Sequence, residues 1–281
     1  MSNSADGAIL LVGAGRMGSA LLRGWLAQGI EASRIFVQEP SSAPETAEFL
    51  KSAGVTVGNP PALSAPPAVM LLAVKPQIMD DVLPTVAPLA GPETVVLSIA
   101  AGRTIDSLSK HFSPEAAIVR AMPNTPAAIG RGMTVLCANP AATQPQNQLC
   151  EELLSASGEV AWVDDETQMD AVTAVSGSGP AYVFLLAECL AEAGKAAGLP
   201  ADIAARLARV TVAGAGELLH QSTEDAAELR RAVTSPGGTT AAALAVLMGE
   251  GDAASAATGP LGDLIRRTAE AAAKRSRELA G

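Results

Sequence analysis

Residues 233–240, Val-Thr-Ser-Pro-Gly-Gly-Thr-Thr, place hydroxyls, two glycines and a proline between two helical segments. In such a turn, several backbone N–H groups lack partners at the start of the next helix, where the helix dipole favours negative charge. The turn can therefore hold a carboxylate without a lysine or an arginine. An ordinary capped helix start has the same composition, so this interpretation depends on the rest of the chain.

A second candidate site is the segment Gly13-Ala14-Gly15-Arg16-Met17-Gly18, which follows an apolar run at residues 8–12 and precedes a helical segment. This is the G-x-G-x-x-G pattern in the strand-turn-helix setting in which it binds dinucleotides. Gly13 permits a tight turn, Gly15 lets the backbone approach a pyrophosphate, and Gly18 lets the helix pack on the strand. We therefore predict a dinucleotide-binding site here.

Size, charge and cysteine content limit the possible functions. The chain has 281 residues, enough for two domains, and a formal net charge of −10 without a basic run. Nucleic acid and anionic membrane surfaces are therefore not expected as partners. Cys137, Cys150 and Cys189 are widely spaced and have no histidine nearby, so neither a disulfide framework nor a metal site is expected.

The N-terminal segment, residues 1–7, is polar and lacks the basic part of a signal peptide. No uninterrupted apolar stretch reaches the ~20 residues that a membrane-spanning helix needs. We expect a soluble, cytoplasmic protein with no membrane partner.

The first half of the chain alternates short apolar runs with helical segments. Continuous runs, such as residues 69–74, are typical of strands buried on both faces of a parallel sheet. The predicted fold class is an α/β Rossmann-type domain with a doubly wound parallel sheet. Its predicted strands are residues 8–12, 34–38, 55–57, 68–74, 94–99, 117–120 and 160–163, with another at 132–137 on an edge.

From about Glu166 onward, strand signals give way to alanine-rich helical segments. We therefore predict a dinucleotide-binding domain at residues 1–165 and an all-α domain at residues 166–281. The helical faces are apolar nearly all round, which favours an oligomer interface; the alternative is a helical domain folded back on the first. The predicted helices are residues 181–197, 202–220, 223–232, 240–249 and 253–279.

Together with the glycine motif, four further segments carry a resemblance: residues 73–77 (Ala-Val-Lys-Pro-Gln), 120–126 (Arg-Ala-Met-Pro-Asn-Thr-Pro), 176–182 (Ser-Gly-Ser-Gly-Pro-Ala-Tyr) and 233–240. With these segments in this order, the chain resembles the pyrroline-5-carboxylate reductase family over essentially its whole length. The resemblance implies a Rossmann domain followed by an all-α dimerisation domain that interlocks with its partner's. Homodimers of this kind often assemble further into decamers.

The resemblance also implies hydride transfer from NAD(P)H to the C=N bond of 1-pyrroline-5-carboxylate, giving L-proline. Ser235, Gly238, Thr239 and Thr240 match the substrate turn of the family. The Ser235 hydroxyl and backbone N–H groups around Gly238 and Thr239 are expected to hold the substrate carboxylate. The Thr240 hydroxyl is the candidate catalytic group at the ring nitrogen; alternatively, it bonds only to its own helix backbone.

Ala73, Val74, Lys75 and Pro76 end a buried strand, at the edge where doubly wound sheets bind ligands. The resemblance implies that this backbone lies along the cofactor, although Lys75 is alternatively a strand-end residue that reaches solvent. Residues 122–126 are expected to close over the nicotinamide. Residues 176–180 either line the same cavity or form a capped helix start.

The sequence leaves the phosphate state of the cofactor open. Many bacterial relatives carry an arginine, suited to a 2′-phosphate, just after the second strand, where this chain has Pro40. Glu39 lies about 20 residues past the glycine motif, where an acidic residue bonds a ribose 2′-OH and repels a 2′-phosphate. Ser41, Ser42 and Asn59 still offer donors to a phosphate. The predicted cofactor is therefore NADP(H) or NAD(H).

Two other functions compete with this interpretation. A β-hydroxyacid dehydrogenase would use a catalytic lysine after the interdomain segment, and Lys195 is the only lysine between Val160 and Ala273. A non-catalytic dinucleotide-binding sensor or scaffold would keep the glycine motif but would not require the turn at residues 233–240. The presence of that turn favours the reductase.

Overall fold

The computed structural model describes residues 7–249 and 256–280. The chain divides into two compact units, the first Met1–Gly177 with Ala272–Gly281 and the second Ser178–Ala271. The predicted polar N-terminal segment lies, except for Gly7, outside the described residues.

One eight-stranded sheet forms the centre of the first unit, with the order β3-β2-β1-β4-β5-β6-β7-β8. Neighbouring strands run parallel except β6 and β7, which are antiparallel. The order reverses between β1 and β4, which is the switch point of a doubly wound sheet. The predicted Rossmann-type class is confirmed. The strands are β1 Ile9–Val12, β2 Ile35–Gln38, β3 Thr56–Gly58, β4 Val69–Leu72, β5 Val95–Ser98, β6 Ala117–Met122, β7 Gly132–Ala138 and β8 Gly158–Trp162.

Helices cover both faces of this sheet. Every residue of β1, β4 and β5 is buried, which explains why these strands are continuously apolar. Alternate residues supply two apolar layers: Leu11 packs in the layer that contains Trp25, and Leu10 packs in the layer that contains Leu83. The helices of this unit are α1 Arg16–Ala27, α2 Pro44–Ala53, α3 Met79–Val86, α4 Ile105–Ser109, α5 Gln144–Ser155 and α6 Met169–Val172.

The predicted edge position of residues 132–137 is wrong. Strand β7 pairs with both β6 and β8, so β8 forms the edge. Gly158, with φ of +145°, lies so close to β7 that an added Cβ would lie 2.0 Å from the Gly132 carbonyl oxygen. Glycine at position 158 therefore permits this close pairing of β8 with β7. The strand at residues 160–163 was predicted, but its place outside β7 was not.

The second unit consists of helices α7 Gly179–Ala196, α8 Ala201–Gln221, α9 Ala226–Ala232, α10 Thr239–Met248 and most of α11 Pro260–Ala280. Helices α7 and α8 pack closely at Gly194, where an added Cβ would lie only 3.1 Å from the Ala204 Cβ. Helix α9 begins later than predicted, since Asp225 and Glu228 form a capping box. Helix α11 begins at Pro260 rather than at residue 253, and residues 253–255 lie outside the described residues.

The helices of the second unit expose large apolar side chains on the single chain. Phe184 is 62% exposed, Val210 63% and Val246 75%. A water-soluble monomer rarely leaves so much apolar surface uncovered. These faces therefore fit the predicted oligomer interface.

One helical stretch, Glu166–Ala196, is long and apolar enough to cross a membrane by length and composition, with a mean hydropathy of 1.3. The sequence prediction had found no such stretch, because charged residues interrupt the apolar run. Helices that pack against other protein surfaces have the same length and composition. The stretch contains α6, a π-helical turn at Thr173–Gly177 and α7.

Candidate active site

The glycine motif forms the turn between β1 and α1 at the carboxyl edge of the sheet. Gly13 adopts a φ of +93°, and its N–H donates to the Gln38 carbonyl at 2.9 Å. An added Cβ on Gly18 would lie 2.3 Å from the Gly13 carbonyl oxygen, whereas one on Gly15 would meet nothing within 4 Å. No side chain caps α1 at Gly15. The turn thus leaves open space in front of free helix-start amides, which fits a pyrophosphate.

Ala73 and Val74 lie against this turn. An added Cβ on Gly13 would come within 2.9 Å of both the Ala73 carbonyl and the Val74 Cγ1 atom. Lys75 is exposed and precedes a short 3-10 turn at Pro76–Ile78. The predicted cofactor segment after β4 is therefore brought beside the glycine motif.

Glu39 is held against the same turn by two backbone hydrogen bonds. Its Oε2 atom accepts from the Ala14 N–H at 2.7 Å, and its Oε1 atom accepts from the Ser41 N–H at 3.3 Å. This position beside the start of α1 is where a dinucleotide places its ribose. Asn59 directly follows β3, the neighbour of β2, and is exposed at the same edge of the sheet.

A groove of about 360 Å³ opens between α1 and α2 beside the glycine turn. Within it, the Arg23 guanidinium carbon lies 3.6 Å from the centroid of the Phe49 ring. The sequence prediction included Arg16 but missed Arg23 and Phe49. A signal was present, because residues 16, 19 and 23 share one helix face. The polar and charged residues that line the groove are Arg16, Ser19, Arg23, Glu39, Ser41, Ser42, Glu45 and Thr46.

Met17, by contrast, packs against the apolar core of the first unit. The side chain of this predicted cofactor residue is partly buried, and its backbone remains part of the glycine turn.

Asn124 connects two segments that the sequence analysis assigned to the site. Its Nδ2 group donates to the Ser176 Oγ at 3.2 Å and to the Ser176 carbonyl at 3.3 Å, while its Oδ1 atom accepts from the Met133 N–H at 2.9 Å. Ser176 lies in the π-helical turn at Thr173–Gly177, and such turns are frequent at functional sites. The sequence did not predict that these segments are bonded to each other.

A partly buried ion pair joins β6 to the segment that follows β8. The Arg120 side chain is 4% exposed and its Nη1 donates to the Glu166 Oε1 at 2.8 Å. The same oxygen accepts from the Ile105 N–H at 2.9 Å. Burial and the Glu166 carboxylate raise the pKa of the neighbouring Cys137 thiol, which disfavours its thiolate form.

In the second unit, residues 235–238 form a tight turn before α10. The Gly238 N–H donates to the Ser235 carbonyl at 3.0 Å, and Gly237 adopts a φ of +70°. An added Cβ on Gly238 would lie 2.3 Å from the Ser235 Oγ. Helix α10 begins at Thr239 without a side-chain cap, so its first N–H groups are available to an anion. Thr239 is exposed and Thr240 half-buried.

The structure thus brings the predicted cofactor residues around one turn of the first unit, except Asn59, which lies two strands away at the same edge of the sheet. The predicted substrate residues lie around one turn of the second unit. Both turns present backbone N–H groups at a helix start, which suits anionic ligands. Among residues 7–249 and 256–280, no group of three metal-ligating side chains could hold a metal ion. The chemistry that this arrangement supports is the binding of a dinucleotide and of a small carboxylate.

Two family models match the chain. The pyrroline-5-carboxylate reductase dimerisation model matches residues 166–279. The model of coenzyme F420-dependent NADP oxidoreductases matches residues 8–102, which include the glycine turn. The matches place an NADP-oxidoreductase region before a dimerisation region, as the sequence predicted.

Relatives match over nearly the whole chain. The pyrroline-5-carboxylate reductase of Pseudomonas aeruginosa is 41% identical over 97% of this chain and 96% of its own length. That of Pisum sativum is 37% identical over 95% and 94%. These identities extend across both units.

Solved structures agree with the sequence matches. The pyrroline-5-carboxylate reductase of Coxiella burnetii has a TM-score of 0.87 and 34% identity, covering 98% of this chain and 99% of its own. The Plasmodium falciparum pyrroline carboxylate reductase, solved with NADP bound, has a TM-score of 0.76 and 27% identity, covering 99% of both chains. This chain belongs to the pyrroline-5-carboxylate reductase family.

Proposed function

We propose that this chain reduces the C=N bond of 1-pyrroline-5-carboxylate with NAD(P)H and so forms L-proline, the last step of proline biosynthesis. The observation that carries the proposal is the uncapped start of α10 after the tight turn at residues 235–238. Such a turn can bind a small carboxylate, and the glycine turn of the first unit is suited to the dinucleotide.

The substrate carboxylate is assigned to the Ser235 hydroxyl and to the uncapped backbone N–H groups around Gly238 and Thr239 at the start of α10; the Gly238 N–H itself donates to the Ser235 carbonyl and shapes the turn. The Ser235 Oγ lies so close to the Gly238 backbone that a Cβ on Gly238 would collide with it. The Ser235 hydroxyl is therefore close to the start of α10. The Thr240 hydroxyl is assigned to the ring nitrogen, where a hydrogen bond strengthens as the nitrogen gains amine character. No strong acid is needed, because an imine gains its proton from water; holding the ring in place supplies much of the rate.

When bound, NAD(P)H supplies the hydride. The N–H groups of Gly15 and Arg16 at the start of α1 are assigned to its pyrophosphate, with Gly13 and Gly18 shaping the turn. The backbone of residues 73–76 is assigned to a position along the cofactor. Glu39 and Asn59 are assigned to its ribose end. The short hydrogen bond between Glu39 and Ala14 supports this assignment, since it fixes the carboxylate beside the turn.

The competing dehydrogenase function lacks support from its key residue. The Nζ of Lys195 lies 2.5 Å from the Glu192 Oε1 one turn earlier on α7. An exposed lysine in such an ion pair is typical of a solvated helix surface. We therefore do not assign Lys195 a catalytic role.

We also propose that the chain forms a homodimer through the apolar helices of its second unit and that dimers assemble into decamers. The exposed Phe184, Val210 and Val246 side chains support the dimer. Sedimentation at micromolar concentration is expected to give a species of at least dimer mass, and a species of ten chains if the decamer forms. A monomer alone would contradict the dimer.

The proposed location is the cytoplasm. Cys137, Cys150 and Cys189 are free thiols, and Cys137 and Cys150 are buried, which suits a reducing compartment.

The test of the reaction is an assay with purified protein, 1-pyrroline-5-carboxylate and either NADPH or NADH. We expect oxidation of the cofactor that depends on the imine and equals the proline formed. A homologous imine without the carboxylate, 1-pyrroline, is the matched control and should react poorly. Equal rates with both imines would contradict the carboxylate assignment.

A further inference from the structure

The groove between α1 and α2 contains two arginine guanidinium groups, of Arg16 and Arg23, to which the proposed reaction assigns no role. Among the described residues, the guanidinium groups of Arg16 and Arg23 make no ion pair and no hydrogen bond. The chain carries 29 acidic and 19 basic residues. In so acidic a protein, two arginines without acidic partners in one groove need an explanation from function.

The Glu39 carboxylate, which lines this groove beside the glycine turn, makes no ion pair with either arginine. Both oxygens of Glu39 already accept backbone hydrogen bonds, one from Ala14 and one from Ser41. Its position therefore follows from the glycine turn rather than from either arginine. Glu45 also lines the groove, without an ion pair to either arginine. The groove thus has the Glu39 carboxylate fixed beside the glycine turn and the Arg23 guanidinium further along α1.

The Arg23 guanidinium is fixed without losing its donors. It lies 3.6 Å from the centroid of the Phe49 ring on α2, a stacking contact that leaves the N–H groups at the guanidinium edge free for an anion. Helical side chains lean toward the N-terminus of their helix, which directs Arg23 back toward the glycine turn. The hydroxyls of Ser41 and Ser42 line the same groove.

These features match one part of a dinucleotide. A ribose beside Glu39 carries its 2′-oxygen toward the end of β2, and a 2′-phosphate on that oxygen would extend into the groove. A phosphate binds best to the bidentate edge of an arginine. Without the arginines, the Glu39 charge would repel it.

We propose that Arg23, stacked on Phe49, binds the 2′-phosphate of NADPH and thereby determines whether this chain accepts NADPH in spite of Glu39. The proposal rests on the proposed function, because it assumes that the glycine turn binds NAD(P)H. Arg23 is the specificity-determining residue, and Arg16 adds a second positive charge nearer the turn.

The test is calorimetric titration of the full-length protein with adenosine 2′,5′-bisphosphate and with 5′-AMP, which differ only in the 2′-phosphate. The parent protein should bind the bisphosphate more tightly. Arg23→Met keeps an unbranched side chain over Phe49 but removes the charge, and should weaken bisphosphate binding about tenfold or more. Its 5′-AMP affinity should stay within about twofold, which also shows that the variant is folded. The bisphosphate affinity of Arg23→Lys should lie between those of the parent and of Arg23→Met.

Lys51→Met is the matched control, because Lys51 is an exposed cation on the same helix as Phe49 but does not line the groove. It should leave both affinities unchanged. An unchanged bisphosphate affinity in Arg23→Met would overturn the proposal, as would an equal loss for both nucleotides, which would assign Arg23 to the adenosine. If neither the parent nor Arg23→Met binds either nucleotide, the dinucleotide site itself is misassigned. The proposed function then fails together with this proposal.

Discussion

At the scale of single residues, the proposed chemistry depends on two polar groups in different units. Thr240 lies at the start of α10 and Glu39 at the end of β2, each placed by a tight backbone turn. Their contributions should therefore separate cleanly in kinetics.

Thr240→Val keeps the β-branched shape and removes the hydroxyl. If the hydroxyl bonds the ring nitrogen most strongly during hydride transfer, kcat should fall with little change in cofactor affinity. One such hydrogen bond is worth about 1–3 kcal/mol, or roughly 5- to 150-fold in rate. Steady-state kinetics measures this, with Thr240→Ser as the control that retains most activity. Turnover equal to that of the parent would leave Thr240 with a purely structural role at the helix start.

Glu39→Gln removes the charge at the ribose end while its amide oxygen can still accept from the Ala14 N–H. Relief of repulsion should shift preference toward NADPH, by about tenfold for ~1.4 kcal/mol. The measurement is the ratio of kcat/KM for NADPH and NADH. Glu39→Asp, which keeps the charge, should shift this ratio less. A ratio that does not move would show that the carboxylate faces away from the 2′-position.

At the scale of elements, the glycines of the motif differ in whether the fold can accommodate a side chain at their position. Gly18 must be glycine because an added Cβ would meet the Gly13 carbonyl oxygen. Gly15 has ordinary backbone angles, with φ of −63°, and open space before it. That space is what the bound dinucleotide is expected to fill.

Gly15→Asp should consequently fold normally but lose dinucleotide binding, because a carboxylate would occupy the pyrophosphate position and repel it. Calorimetry should detect no heat with NADPH or NADH. Gly15→Ala, which adds only a methyl group, should bind more weakly than the parent but measurably. Parent-like affinity in Gly15→Asp would place the cofactor elsewhere.

Asn124→Ala removes three hydrogen bonds that join the loop after β6 to the π-helical turn and to Met133. The loss should cost about 1–3 kcal/mol of stability. Urea unfolding at a fixed protein concentration measures it. Ser176→Ala, which keeps the backbone carbonyl partner, should cost less. A cost below about 0.5 kcal/mol for Asn124→Ala would show that water replaces these bonds.

At the scale of the whole molecule, much of the fold follows from local sequence patterns. The strand-turn-helix setting of Gly13 and the continuous apolar runs predict the parallel sheet. Both signals can be recognised within a few consecutive residues. The position of β7 was mispredicted, since strand neighbours depend on distant contacts such as that between Gly158 and Gly132. Arg23 and Phe49 were missed for the same reason: they lie 26 residues apart in sequence (49 − 23) and meet only across two helices.

The substrate turn illustrates the other limit of sequence analysis. Its composition predicts free N–H groups at a helix start, and α10 begins where the turn predicts. Composition does not say which hydroxyl reaches the ring nitrogen, because that depends on where a bound ring would sit. The assignment of Thr240 therefore remains a prediction for kinetics to test.

The most direct test of the central claim is isotope transfer. NADPH that carries two deuterium atoms at the nicotinamide C4 position is incubated with the protein and 1-pyrroline-5-carboxylate, and the product is analysed by mass spectrometry. Direct hydride delivery to the C=N carbon predicts L-proline with one deuterium on Cδ, the ring carbon that was the C=N carbon of the substrate. Proline without deuterium, or no proline with either NADPH or NADH, would contradict the assignment of this chain as an imine reductase.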